Sequence, residues 1–212
     1  MPQKRVSTTA TWLLLLVALA VMPLSSSQAR CSSNRFDGAI VSAVALEWRD
    51  FNRPSYWKAQ LCQESALNPD AQSGTGAQGL AQFMPGTWRD IVRSFKWDSA
   101  FASPFDPGRA ILAGARYQGR QRRMWSAAGR TQVQRNDLGL CNYNAGPGNC
   151  LTAQRLCDDA KSNDAPPLAQ KSGAWLWPEI ARCLPQVTGR HAAETIGYVA
   201  AVNRFAPDMR LP

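Results

Sequence analysis

The stretch Leu61–Trp88 reads LCQESALNPDAQSGTGAQGLAQFMPGTW, and the rest of the chain is arranged around it. Tyr56, Trp57, Gln60, Leu61 and Glu64 recur at helical spacing. They predict a helix that carries Glu64 near its C-terminal end, on its Trp57/Leu61 side. Asn68-Pro69 is the expected stop, because proline disfavours the α region for the residue before it. Gly74, Gly76, Gly79 and Gly86 then fall within thirteen residues, set among Ser73, Thr75, Gln78 and Gln82. Small and amide side chains of this kind let backbone come close to a neutral polar ligand. A carboxylate between an apolar helix face and such a loop has the surroundings of a general acid. The plainer alternatives are a solvated glutamate and an ordinary turn. A phosphate cradle does not fit: there is no G-x-x-x-x-G-K-[ST] run, and Gly74-Thr75-Gly76 lacks a third glycine at the required spacing.

Three blocks in order carry a family resemblance. The first comprises Glu64-Ser65, Asn68-Pro69-Asp70-Ala71, Ser73, Gly76-Ala77, Gly79-Leu80-Ala81-Gln82 and Met84-Pro85. The second is Asn142-Tyr143-Asn144-Ala145-Gly146-Pro147-Gly148, and the third is Glu194-Thr195-Ile196-Gly197-Tyr198-Val199. Together they resemble the soluble-type lytic transglycosylases, cell-wall-cleaving enzymes that share a fold with goose-type lysozyme. The likeness runs from about Ala39 to Phe205. It implies an all-α, lysozyme-like domain over residues 30–212, with a short β-hairpin in the Gly-rich loop as the one extended element.

The same resemblance implies a chemistry. Glu64 is expected to act first as acid and then as base on the MurNAc-GlcNAc linkage of peptidoglycan glycan strands, leaving a 1,6-anhydro end. Both roles call for a pKa raised by burial towards ~6–7. Ser73 and Gln82 correspond to residues near the cleaved sugars. Tyr143 and Asn144 correspond to residues facing the acid, the tyrosine hydroxyl orienting Glu64 or the acetamido group. Glu194 is expected to be a buried hydrogen-bonding partner rather than a second catalyst. Phe83, Met84 and Tyr198 either shape the groove or simply pack.

Most glycosidases pair two carboxylates, but after Glu64 only Asp70 precedes Asp90. Goose-type lysozymes are expected to offer water-positioning aspartates in that loop, and their absence favours transglycosylation over hydrolysis. One departure from the family pattern is Ala81, where a methionine is frequent; it suggests a wider groove. The cysteines are another. The rival readings are a hydrolysing lysozyme of the same fold or a chitinase-like relative, and a non-catalytic wall-binding component of a secretion or lysis apparatus.

Residues 1–29 read as a signal peptide: Lys4 and Arg5, the apolar run Trp12–Met22, then Ser27-Gln28-Ala29 as a small-residue cleavage site. Eleven apolar residues fall short of the ~20 a membrane span needs, so an exported chain without a stable membrane anchor is expected. Arg30 argues against lipidation of Cys31. Removing the leader takes two basic and no acidic residues from a formal charge of +9, leaving +7. The basic residues are dispersed except Arg116, Arg120, Arg122 and Arg123, read as a solvated helix face. An anionic wall polymer is therefore a better partner than nucleic acid.

All six cysteines follow the leader, and an even number in an exported chain predicts disulfides. Cys150 with Cys157 could close a small loop, and Cys141 or Cys183 could tie helices together. There is no C-x-x-C pair and His191 is the only histidine, so neither a metal nor another cofactor is expected. His191 reads as a surface or capping residue.

Elsewhere the pattern is helical. Phe36, Ile40, Val41, Val44 and Trp48 form a stripe, with Asn34 or Asp37 available as cap. Thr87–Phe95 resumes a helix and Asp106-Pro107 opens another. Asp137–Tyr143 reads as a buried helix that stops at Gly146-Pro147-Gly148, and Ser162–Gly173 as a polar loop. Tyr198, Val202 and Phe205 mark the last core stripe.

Overall fold

The computed structural model describes residues 31–126, 129–159, 175–209 and 211. The expected signal peptide and the 162–173 loop lie outside the described residues. Nine α-helices occur among the described residues, the first eight being α1 Asp37–Glu47, α2 Pro54–Ser65, α3 Pro85–Phe95, α4 Pro107–Arg123, α5 Gln132–Ala145, α6 Pro147–Asp159, α7 Trp177–Cys183 and α8 Pro185–Thr188. A 3-10 turn, Gly189–His191, leads into a ninth helix, α9 Ala192–Phe205. The all-α expectation holds, and the Gly-rich loop makes only two isolated bridges, Gln72 with Gln78 and Gln78 with Phe83.

The helix that carries Glu64 lies between two apolar clusters. On one side Trp57 and Leu61 pack with Trp48 of the α1 exit and Ile111 of α4. On the other, Ala59 meets Leu140 of α5 and Tyr198, Val199 and Val202 of α9. Two buried tryptophans fix the first side, and each finds a partner for its polar edge. Trp48 Nε1 donates to the Ala115 carbonyl at 2.7 Å, and Trp57 Nε1 to that of Ile111 at 3.2 Å.

The close approach depends on small residues of α4. A Cβ at Gly114 would stand 2.5 Å from the Trp57 ring and 3.0 Å from Ala81 Cβ. Ala81 is fully buried in this contact. Ala81 does not line the Glu64 cleft, so its small side chain does not widen the groove. A buried ion pair, Lys58 of α2 with Asp37 of α1 at 2.7 Å, ties α2 to α1. Asp37 is thus committed to Lys58, and neither it nor Asn34 provides a side-chain cap for α1.

Helix boundaries follow local chemistry. Asp106 caps α4 through Arg109 N–H at 2.7 Å, and Thr131 with Gln134 forms a reciprocal capping box at the start of α5. This box begins α5 five residues before the expected Asp137. Gly146 ends α5 with φ +89°, and Pro147 then opens α6. The Gly-Pro-Gly run thus stops α5 and joins it directly to α6.

The arginine cluster is only partly a solvated face. Arg120 and Arg123 are exposed and Arg116 pairs with Glu47 at 2.9 Å. Arg122 is buried, with its guanidinium 4.4 Å from the Phe51 ring centroid and a hydrogen bond to Gln132 at 3.0 Å. It is turned inward because Gly139 of α5 leaves space for its stem.

Three disulfides form: Cys31–Cys62, Cys141–Cys150 and Cys157–Cys183. The expected Cys150–Cys157 loop is not made, since both cysteines lie along α6 and each faces a different neighbour, α5 or α7. Cys141 and Cys183 do tie helices together, as anticipated.

Candidate active site

Glu64 sits in the last turn of α2. The helix ends because Ala66 and Leu67 both adopt left-handed backbone, φ +53° and +58°, ahead of the expected Asn68-Pro69 stop. This reversal turns the Gly-rich loop back over the helix end. Ser65 Oγ fastens the two together, donating to the Leu61 carbonyl at 3.2 Å or the Leu80 carbonyl at 2.9 Å.

The loop is held by its own backbone. Gly79 N–H donates to the Ala71 carbonyl at 2.8 Å, while Gln78 and Phe83 exchange bonds of 3.0 and 2.9 Å. Ser73 Oγ accepts from Ala77 N–H at 2.9 Å and lies 3.0 Å from Thr75 Oγ1. The Gln82 amide donates to the Gly79 carbonyl at 2.9 Å. Ser73 and Gln82 consequently hold fixed positions on one wall of a cleft of about 360 Å³ that has Glu64 in its lining.

The opposite wall comes from α5 and α9. Tyr143, Asn144, Glu194 and Tyr198 line it, with Met84 from the loop end. Met84 is 46 % exposed and available to a ligand. Phe83 is 2 % exposed and packs on Trp88 at 5.3 Å. Phe83 is therefore a core residue and not a groove residue, because the bridge to Gln78 turns its ring inward.

The tyrosines divide their tasks differently from expectation. Tyr143 hydroxyl donates to the Ala81 carbonyl at 2.7 Å, buttressing the loop. The hydroxyl that holds the acid is that of Tyr198, which donates to Glu64 Oε1. Asn144 is held in turn, its Oδ1 accepting from Thr195 Oγ1 at 2.6 Å. Thr195 had no assigned role in the sequence, although it lies within the third block.

Glu194 also departs from expectation. It is exposed at the first turn of α9, on the rim of the cleft, and makes no core hydrogen bond among the described residues. Its place is set by α9 starting at Ala192, which leaves Glu194 on the solvent side of the helix. His191 is exposed just before it, and its side chain does not cap α9. Among the described residues no group of three His, Cys, Asp or Glu side chains converges to hold a metal ion.

The electrostatics of Glu64 follow from this enclosure. Burial raises its pKa from 4.5 to about 8; the Tyr198 hydrogen bond opposes the shift and the Glu194 charge adds to it. This is higher than the ~6–7 expected, and it leaves the carboxyl protonated at neutral pH. A raised carboxyl pKa means the folded state keeps a proton that the unfolded state has lost. Stability therefore falls as pH rises from 4.5 through about 8. Glu64→Gln is expected to be nearly neutral at pH 4 and stabilising at pH 8 by about 1–3 kcal/mol, after discounting for the solvent-facing edge. Thermal unfolding at the two pH values measures the difference.

Residues 44–165, more than half of the chain, match the family model of the Transglycosylase SLT domain. Over 101 residues the chain is 36 % identical to soluble lytic murein transglycosylase of Escherichia coli K12, covering 46 % of this chain and 14 % of that protein. Two solved structures are similar. One is lytic transglycosylase Slt from Pseudomonas aeruginosa, an inactive glutamate-to-glutamine mutant, with TM-score 0.60 and 25 % identity. The other is the 70 kDa soluble lytic transglycosylase of Escherichia coli, with TM-score 0.58 and 26 % identity. Each alignment covers 82 % of this chain and 24 % of the other. The chain thus spans only about a quarter or less of the length of these relatives. The chain belongs to the transglycosylase SLT domain family.

Proposed function

We propose that this protein is a peptidoglycan lytic transglycosylase that cleaves the MurNAc-β-1,4-GlcNAc bond, with Glu64 as sole general acid and base. The observation that carries the reading is a carboxyl held protonated near neutrality on the wall of a polar cleft, its pKa about 8, with Tyr198 donating to it. Glu64 gives its proton to the glycosidic oxygen as that bond breaks. The substrate's acetamido oxygen meets the developing positive charge at the sugar. The resulting carboxylate, held by Tyr198, then takes the proton of the 6-hydroxyl as that oxygen closes the 1,6-anhydro ring. Atoms balance without water. Ser73, Gln82, Met84 and Asn144 position the sugars on either side, and Tyr143 holds the loop in place through Ala81.

A lytic transglycosylase from Pseudomonas aeruginosa is inactive when one glutamate becomes glutamine, which agrees with a single essential carboxyl. Three disulfides support an oxidising compartment outside the cytoplasm, consistent with export by residues 1–29. Among the described residues no helix is long and apolar enough to cross a membrane. A quantitative test compares bonds cut with reducing sugars formed. Transglycosylation solubilises wall without new reducing ends, whereas one reducing end per cut would sink the proposal.

One observation favours a second reading. Glu194 lines the same cleft as Glu64 and is a second carboxylate, as a water-positioning group in a hydrolase would be. The two readings predict different outcomes for Glu194→Gln. As a rim charge, Glu194 only raises the Glu64 pKa. Its removal is expected to keep the product type and to shift the alkaline limb of kcat/KM to lower pH. In the hydrolase reading, turnover collapses by about 10²-fold or more at every pH.

A further inference from the structure

A second cleft, of about 450 Å³, lies between α3 and residues 99–102 and shares no lining residue with the Glu64 cleft. Its apolar surface is formed by Trp88, Val92 and Ala102, and Arg89 and Arg93 stand beside it. The volume lies within the ordinary range for small-ligand sites. The facing segment is fastened in place. Trp88 Nε1 donates to the Ala102 carbonyl at 3.4 Å, and the Arg109 guanidinium donates to the Phe101 carbonyl while lying 5.8 Å from the Trp97 ring.

The lining carries two arginines and no acidic side chain. Arg93 is paired with Asp90, and Asp98 accepts from Ala100 N–H. Arg89 is exposed and has no ion-pair partner among the described residues. Phe101, on the segment that closes the cleft, is 74 % exposed, the most exposed large apolar side chain among those described. Apolar surface beside an uncompensated guanidinium selects a carboxylate carried on a small apolar residue, because each half alone leaves the other unsatisfied.

We propose that this cleft binds the carboxylate ends of wall peptide stems, independently of the sugar cleft. The proposal rests on the peptidoglycan reading above. Alanine at a stem's end places its methyl group against Trp88 and Val92, and its carboxylate on Arg89. Binding there holds the enzyme on the wall between cuts.

The test follows the Trp88 indole N–H signal by NMR in the mature protein, assigned with Trp88→Phe, during titration with a sugar-free tetrapeptide stem. The expected result is a saturable shift at millimolar peptide, weakened about tenfold by Arg89→Ala and by amidation of the peptide's C-terminus. Cleavage of peptide-free glycan strands by Arg89→Ala should match wild type. An unmoved Trp88 signal, or equal binding of the amidated peptide, overturns the proposal. Equal binding of an unrelated acidic peptide also overturns it, and assigns the cleft to acidic protein segments instead. Failure of the catalytic reading would appear separately, as no cleavage of peptide-free strands by wild type.

Discussion

Replacing Glu64 with glutamine is expected to lower turnover of purified peptidoglycan by at least about 10³-fold while leaving wall binding intact. Positioned proton transfer typically contributes 10²–10⁴-fold, and in the proposed reaction one group serves both the departure and the ring closure. Glutamine preserves size and can still accept the Tyr198 hydroxyl hydrogen bond, so the cleft keeps its shape. It cannot release a proton to the leaving oxygen. In wild type the acid form persists up to a pKa of about 8, so activity should decline as pH rises through that value. A sedimentation assay with intact sacculi separates binding from turnover. A Glu64→Gln variant that still cuts would move the chemistry to another group, with Glu194 the first to examine.

Gly79→Ala is expected to have the largest effect on the fold. Gly79 has φ +72°, a region that disfavours a side chain, and an added Cβ would lie 1.9 Å from the Pro104 carbonyl oxygen. Backbone cannot step aside as a flexible side chain would. Either the 104–105 segment or the Gly-rich loop must move, and the Gly79–Ala71 hydrogen bond strains with it. Strain and overpacking together cost about 3–5 kcal/mol, a fall in Tm on the order of 10 °C for a domain of this size. Because Ser73 and Gln82 ride on the same loop, activity falls further than stability alone explains. Gly74→Ala is the control: its added Cβ meets nothing within 4 Å, and its Tm should match wild type.

The readable parts of the sequence were those written in local pattern. Helical spacing placed Glu64 at a helix end on its Trp57/Leu61 side, and glycine density marked the loop that closes over it. The errors have specific causes. Gly146-Pro147-Gly148 does stop α5, but the pattern was not seen to let Pro147 open the next helix at once, where its missing N–H is not needed. Thr131 and Gln134 spelled a capping box that went unread.

Other features lie beyond any single-element pattern. Whether Tyr143 or Tyr198 reaches Glu64 depends on how α5 and α9 pack against α2, and both residues sit on apolar stripes. Phe83 and Met84 are neighbours in sequence, but one backbone bridge sends the first into the core and leaves the second on the groove. Glu194 lies beyond the 44–165 range of the family match. Its exposure follows from where α9 begins, after a turn the sequence did not reveal. Disulfide pairing is likewise a matter of which helices meet.

The most direct test of the central claim is mass spectrometry of peptidoglycan digested by the mature protein in water carrying a heavy oxygen isotope. The account predicts muropeptides with 1,6-anhydro ends, lighter by one water than their reducing counterparts and free of the heavy isotope. Reducing ends that carry the label would contradict it, placing water, and with it a hydrolase, in this cleft.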